Sequence, residues 1–208
     1  MTFFCFAAAF GCGSLMFSYW LGLLAGKNIQ KTGDGNPGAF NLWSAAGYRL
    51  GLLGILLDFM KGYLPVLFLI HSTVRENPYF VLLLFAPILG HAFSPFLKFR
   101  GGKSIAVTFG VWSAATGFEV SFVYAVVLAI LAILARMIAH GRSPSSEADG
   151  FMVVFGFLLT GGYLYLKEFP LLYFQLWGLN LALFLFLNRV KLFRLYKTFS
   201  DEWREKQI

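Results

Sequence analysis

The chain has 208 residues, of which 58% are hydrophobic and 13% charged, and its formal net charge is +7. Soluble domains carry about one quarter charged residues, so a water-facing surface is excluded and a lipid bilayer is the expected solvent. The basic residues sit at the ends of apolar segments and form no continuous patch, which excludes nucleic acid as a partner.

Residues 2–25 form the first apolar segment. It lacks a basic leader and a cleavage site and is followed by more apolar segments, so it reads as a retained helix and not a signal peptide. Cys5 and Cys12 lie seven apart in it and read as small buried residues, neither a disulfide nor metal ligands. A polar, glycine-rich loop follows over 27–47, then a second apolar segment over 50–70. That segment carries Asp58 and Lys61 one turn apart on one face. Each alone is expensive in a membrane. They are expected to pair inside the bundle, with Lys61 alternatively reaching a substrate phosphate.

Residues 71–77 are a polar turn, and 79–90 a short apolar segment. A second glycine-rich loop spans 90–104, followed by apolar segments at 105–117 and 120–139. Residues 140–150 read as a solvated connector. The last apolar segments are 151–166 and 170–187. The tail from Asn188 mixes basic and aromatic residues and reads as an interfacial helix on anionic lipid.

The fold class is therefore all-α and polytopic, with about seven transmembrane helices. Two of them, 79–90 and 105–117, are short against the ~20 residues a bilayer core requires. With the N-terminus outside, the inner loops hold Lys27, Lys31, Arg49, Lys98, Arg100, Lys103, Arg136 and Arg142. The inner tail adds Arg189, Lys191, Arg194, Lys197, Arg204 and Lys206. The outer loops hold Arg75 with Glu76, Glu119, and Lys167 with Glu168. This bias places both glycine-rich loops on the cytoplasmic side. No internal repeat divides the chain; residues 1–208 read as one unit, expected to be a monomer.

Glycine-rich turns beside helix starts present backbone N–H groups to anions. Gly35-Asn36-Pro37-Gly38 has this form, with Asn36 and Asn41 able to donate from their amides. Arg100-Gly101-Gly102-Lys103-Ser104 adds two cations just ahead of a helix. It is not the spaced Walker A pattern, and a plain turn with interfacial basic residues is the alternative. His91, at the end of the third segment, could serve as a general base, donate to a phosphate, or only cap and pack.

Three stretches, DGNPGAFN at 34–41, LDFMKG at 57–62 and GHAFSPFLKFRGGKSIAV at 90–107, appear in this order. Together they resemble the motifs SGNxGATN, LDxxKG and GHxFPxFxxFKGGKGVAT of the bacterial glycerol-3-phosphate acyltransferases that use acyl phosphate, the PlsY family. The resemblance covers essentially the whole chain. It implies transfer of an acyl chain from acyl phosphate to the 1-hydroxyl of glycerol 3-phosphate in the bacterial inner membrane. Lysophosphatidic acid for phospholipid synthesis and free phosphate are the products, with membrane lipid around the site and no cofactor or metal. By position it implies Lys103, His91 and Asn36 as catalytic residues. Lys103 and the glycine amides would stabilise the donor phosphate and the developing oxyanion. Asn36, Asn41 and His91 would orient the acceptor. Substrate contacts would extend to Asp34, Gly35, Gly38, Arg100, Gly101, Gly102, Ser104, Lys61, Arg189 and Lys191.

The chain also departs from the family pattern. Asp34 stands for a serine, Phe40 for a threonine, Ser44 for an arginine and Ser104 for a glycine. The family's HRENIxRL is NRVKLFRL at 188–195, which keeps Arg189 but substitutes Asn188, Val190 and Lys191. Asp34 is expected to oppose an approaching phosphate, and Lys191 or Arg194 to replace the lost cations. A related transferase with another acceptor or donor, and a non-catalytic lipid- or anion-binding paralogue, are the alternative readings.

Overall fold

A computed structural model describes residues 2–141 and 144–205, apart from the side chains of Phe199 and 202–205. Arg142, Lys206 and the side chain of Arg204, counted above among the inner charges, lie outside the described residues. The protein is all-α. Its helices are α1 (Thr2–Ser14), α2 (Phe17–Leu24), α3 (Ala39–Ala46), α4 (Tyr48–Ile70), α5 (Phe80–Ala92), α6 (Ile105–Thr116), α7 (Glu119–Ile138), α8 (Ser146–Leu166) and α9 (Leu171–Glu205). Among the described residues, six stretches are long and apolar enough to cross a membrane, with α1 and α2 together forming the first. The segment at 105–117 forms the shorter α6.

The first stretch is broken at Leu15 and Met16. Ser14 contributes to the break by turning its hydroxyl back onto the Phe10 carbonyl, 2.8 Å away. A break inside a bilayer frees carbonyls that no water can reach, and other side chains must satisfy them. The Ser94 hydroxyl donates to the Ser14 carbonyl at 2.7 Å. The Lys61 ammonium donates to the Leu15 carbonyl. Asp58 lies 2.8 Å from that ammonium and accepts from the Ser18 hydroxyl at 2.6 Å. The expected ion pair is therefore present, and it ties α4 to the break between α1 and α2.

Two helix pairs touch backbone to backbone. A Cβ on Gly13 would lie 2.1 Å from the Pro87 carbonyl oxygen, and one on Gly90 2.1 Å from that of Phe10. These contacts join α1 to α5. Likewise a Cβ on Gly62 would lie 2.5 Å from the Val107 carbonyl oxygen, and one on Gly110 2.1 Å from that of Phe59, joining α4 to α6. Between apolar helices in lipid, such close contact supplies the packing energy that hydrophobic burial cannot. Further along the bundle, the ring of Phe157 on α8 meets Trp112, Tyr124 and Phe184 edge-on at 5.9, 5.1 and 5.2 Å. Each such pair adds about 0.5–1.5 kcal/mol beyond area burial and links α6, α7 and α9 through one residue.

Three expectations are corrected. The loop at 27–47 contains α3, whose Asn41 and Leu42 are buried while Phe40 and Trp43 face outward. The connector at 140–150 ends early: Ser145 caps α8 by accepting from the Ala148 N–H at 3.2 Å, and Ser146, Glu147 and Asp149 form its first turn. The tail is not a separate interfacial helix. α9 continues unbroken to Glu205, since no glycine or proline interrupts it after Gly178.

The Asp58–Lys61 pair generates a stability prediction. Asp58→Ala leaves the Lys61 ammonium buried with one carbonyl partner, and should destabilise the protein by about 3–5 kcal/mol. Unfolding in detergent micelles measures it; an unchanged midpoint contradicts this role.

Candidate active site

The first glycine-rich loop folds around Asp34. Gly35 takes φ +74°, a turn that a side chain would strain. It lets the Asp34 carboxylate accept from the Asn36 N–H at 3.2 Å and the Asn41 amide at 3.1 Å, both on Oδ1. The Asn41 amide also donates to the Asn36 carbonyl at 2.9 Å. Asn41 is buried and lines the cavity described below, but its donors are spent on the loop. The Asn36 side chain forms no hydrogen bond among the described residues, its amide lies over Gly38, and the residue lines both cavities described below.

The second loop is built by glycines for a different reason than expected. The Gly101 N–H donates to the Ala92 carbonyl at 3.0 Å, and the Gly102 N–H to the His91 carbonyl at 3.1 Å. These amides are consumed by the fold, which removes them from the expected anion site. A Cβ on Gly102 would lie 2.2 Å from His91 Nε2, so the glycine makes room for the imidazole. Ser104 is buried, and its hydroxyl donates to the Ile88 carbonyl at 3.0 Å. The backbone is strained nearby: Lys98, Phe99 and Ser104 all have φ between 52° and 60°.

The two loops meet through charge. Lys103 Nζ lies 2.5 Å from Asp34 Oδ2, and Lys191 Nζ, from α9, lies 2.8 Å from the same oxygen. Lys191 also donates to the Ser146 hydroxyl at the start of α8. Burial by itself would push the Asp34 carboxyl up and make it harder to ionise, but hydrogen bonds from Lys103 and Lys191, the Lys103 charge and the Asn36 N–H hold it well below the usual carboxylate range. A carboxyl shifted this way contributes stability above its ordinary value near ~4 and loses it only as pH falls through the lowered one. Burial moves Lys103 in the other sense: it lowers the amine, the Asp34 carboxylate opposes, and the Lys191 ammonium lowers it further, leaving it below the ordinary lysine value.

Two cavities share this junction. One, of about 550 Å³, is largely apolar; Phe40, Trp43, Ile55 and Phe109 line it, with Asn36, Gly38, Asp58, His91, Lys103 and Ser104. The other, of about 890 Å³, is lined by Asp34, Asn36, Asn41, Lys103, Ser146, Glu147, Asp149, Asn188, Lys191 and Arg194 among others. Asn36, Phe40, Lys103 and Ile105 belong to both. Of the expected site residues, His91, Asn36, Gly38, Lys103, Ser104, Asp34, Asn41 and Lys191 thus come together.

Others do not join them. Lys61 is 3% exposed and committed to Asp58 and the Leu15 carbonyl, so its substrate-binding alternative is corrected. Arg100 is exposed and lines neither cavity. Arg189 turns to the Phe186 carbonyl at 2.6 Å and lies over that ring. Gly35 and Gly101 also line neither cavity, nor does Gly102, whose contact is with the imidazole. Ser146, Glu147 and Asp149 were missed because they read as part of a connector; an N-cap serine, Ser145, followed by the acids Glu147 and Asp149 ahead of an apolar stretch is the helix-start signal that could have found them.

Residues 3–197 match the family model described as glycerol-3-phosphate acyltransferase. The chain belongs to the glycerol-3-phosphate acyltransferase family. It is 39% identical over 159 residues to glycerol-3-phosphate acyltransferase 1 of Thermotoga maritima, covering 76% of this chain and 78% of that relative. It is 40% identical to the glycerol-3-phosphate acyltransferase of Leptospira borgpetersenii over 111 residues, a match that spans 52% of this chain and half of that relative's length. A crystal structure of PlsY, an integral membrane glycerol 3-phosphate acyltransferase in its glycerol 3-phosphate form, shares the fold with a TM-score of 0.81 at 24% identity, covering 94% of this chain and 92% of that one. Within this glycerol-3-phosphate acyltransferase family member, positions 34 and 191, where departures from the family pattern are expected, are in direct contact.

The amine of Lys103 should lose its proton below the ordinary lysine value of ~10.4. The pH dependence of its labelling by an amine-reactive reagent, read by peptide mass spectrometry, checks this; a midpoint at or above that value contradicts the burial argument.

Proposed function

We propose that the junction between the two cavities is where this chain transfers an acyl group from acyl phosphate to the 1-hydroxyl of glycerol 3-phosphate. The protein is a multi-pass acyltransferase of the bacterial inner membrane, and lysophosphatidic acid and phosphate are its products. The observation that carries the site assignment is the position of Lys103 and Asn36 in the wall common to an apolar and a charged cavity. The acyl chain occupies the apolar cavity, beside the outward-facing Phe40 and Trp43, from which a lipid product leaves into the bilayer. Glycerol 3-phosphate occupies the charged one.

The acceptor hydroxyl attacks the acyl carbon. A carbon–oxygen bond forms there, and the bond from that carbon to the phosphate oxygen breaks. The departing phosphate takes up the hydroxyl proton as its basicity rises, so the step balances without another reactant. Lys103, in the wall common to both cavities, turns one free N–H to the departing phosphate while charge moves onto it and keeps another for the phosphate of glycerol 3-phosphate. Ile105 and Ala106, in the first turn of α6, line the apolar cavity, and the N–H groups of Ile105, Ala106 and Val107, left without partners at the start of the helix, add to this. Asn36 donates to the acceptor; His91, expected to orient the acceptor, lines only the apolar cavity and so orients the acyl phosphate from the end of α5. Lys191, with Arg194, takes the place of the family arginine that is Ser44 here.

The same reading has the N-terminus outside, α6 as a seventh, short crossing, and both glycine-rich loops in the cytoplasm, where both phosphorylated substrates are made available. Residues 1–208 work as one unit and as a monomer; one chain supplies the lining of both cavities.

Purified protein in lipid, given acyl phosphate and glycerol 3-phosphate, should release lysophosphatidic acid. Lys103→Ala should lower kcat/KM about 100-fold or more while the protein stays folded. Turnover with other acceptors but not with glycerol 3-phosphate would select the altered-acceptor reading that Asp34 and Asn188 raise. Phosphate binding with no turnover on any acceptor would select the non-catalytic one.

A further inference from the structure

Asp34 would oppose a phosphate if its carboxylate were free, and it is not. Oδ1 accepts from the Asn36 N–H and the Asn41 amide, and Oδ2 from Lys103 and Lys191. A carboxylate offers about four lone-pair sites, and all are taken by donors. Its side chain is 23% exposed, held at the meeting point of the first loop, the second loop, α8 and α9.

The two ammonium groups are different. Each has three donors. Lys103 uses one on Asp34, and Lys191 uses one on Asp34 and one on Ser146. Both keep N–H groups for a ligand in the cavity they line. Two such cations side by side repel, and at the end of long flexible stems they would separate. The shared carboxylate oxygen offsets that repulsion and fixes the spacing. Glu147 and Asp149 line the same cavity with Arg194, so its charge is mixed. Anion affinity there depends on holding two cations together at one point.

We propose that Asp34 is a positioning residue that clamps Lys103 and Lys191 into a pair of ammonium groups gripping a single phosphate. This rests on the reading of the junction as a phosphate site. It makes Asp34 and Lys191 one coupled change: the acid recruits the lysine of α9, 157 residues away, to stand in for the family arginine.

The test is a cycle of Asp34→Ser, Lys191→Asn and the double variant, in full-length protein reconstituted in lipid, read by titration with inorganic phosphate. Each single change removes a charge-assisted contact or its geometry and should weaken phosphate binding about tenfold. The double variant should bind no more weakly than either single one, because Asp34 acts through Lys191. In turnover, Asp34→Ser should raise the KM for glycerol 3-phosphate more than it lowers kcat. Asp34→Asn keeps the shape without the charge and should behave like Asp34→Ser; it also carries the test if the serine variant fails to fold. Three results would each overturn the proposal: independent effects that multiply in the double variant, wild-type binding by Asp34→Asn, or tighter phosphate binding by Asp34→Ser, which would mark the carboxylate as a competitor. Phosphate binding is read without turnover, so an inactive enzyme does not decide it.

Discussion

Lys61 lies in the middle of an apolar helix, and the first half of the molecule is arranged to satisfy it. Its ammonium reaches Asp58 one turn away and the Leu15 carbonyl at the break between α1 and α2. The break is tolerable in lipid because Lys61 and Ser94 occupy the carbonyls it frees. With that junction fixed, the glycine contacts of α1 with α5 and of α4 with α6 hold the ends of α5 and α6 that reach the site. His91 closes α5, Lys103 precedes α6, and Asp58 reaches the wall of the apolar cavity from α4. The buried ion pair thus serves as a scaffold for the site.

The site applies the opposite solution to charge. Asp34, Lys103 and Lys191 remain partly exposed, and each is held by elements distant in sequence. A single carboxylate ties both loops to α9, with α8 attached through Ser146. The glycines of the second loop serve the fold, admitting the imidazole of His91 and donating to carbonyls of α5. What remains for a ligand is a small set of side-chain donors at the seam between an apolar and a charged cavity, which suits a substrate pair of one lipid chain and two phosphates.

Much of this was legible in the sequence. The apolar segments, the Asp58–Lys61 pairing and the two glycine-rich loops follow from composition, spacing and the cost of isolated charge in lipid. The motifs placed the chain in its family and named Asn36, His91 and Lys103. Hydrogen-bond ownership was not legible. Gly101, Gly102 and Asn41 read as donors to a ligand because a sequence does not show which carbonyl a loop will turn toward. Asp34 read as a repulsive charge because its second partner is on α9, beyond an expected helix end at Asn188. That end was expected from a change in composition, yet amphipathic residues with good helix propensity carry a helix through such a change. Ser146 and Asp149 were lost to the same kind of reading, since a polar first turn resembles a loop until its cap is recognised.

At the Asp34 junction, the proposed arrangement has Lys103 and Lys191 hold one phosphate together. A structure of the lipid-embedded protein with glycerol 3-phosphate bound tests it most directly. The phosphate should lie within hydrogen-bonding distance of both ammonium groups, with Asp34 still bridging them. A phosphate bound elsewhere, for example at Arg49 and Arg100, with Lys103 and Lys191 engaged only by Asp34, would contradict it.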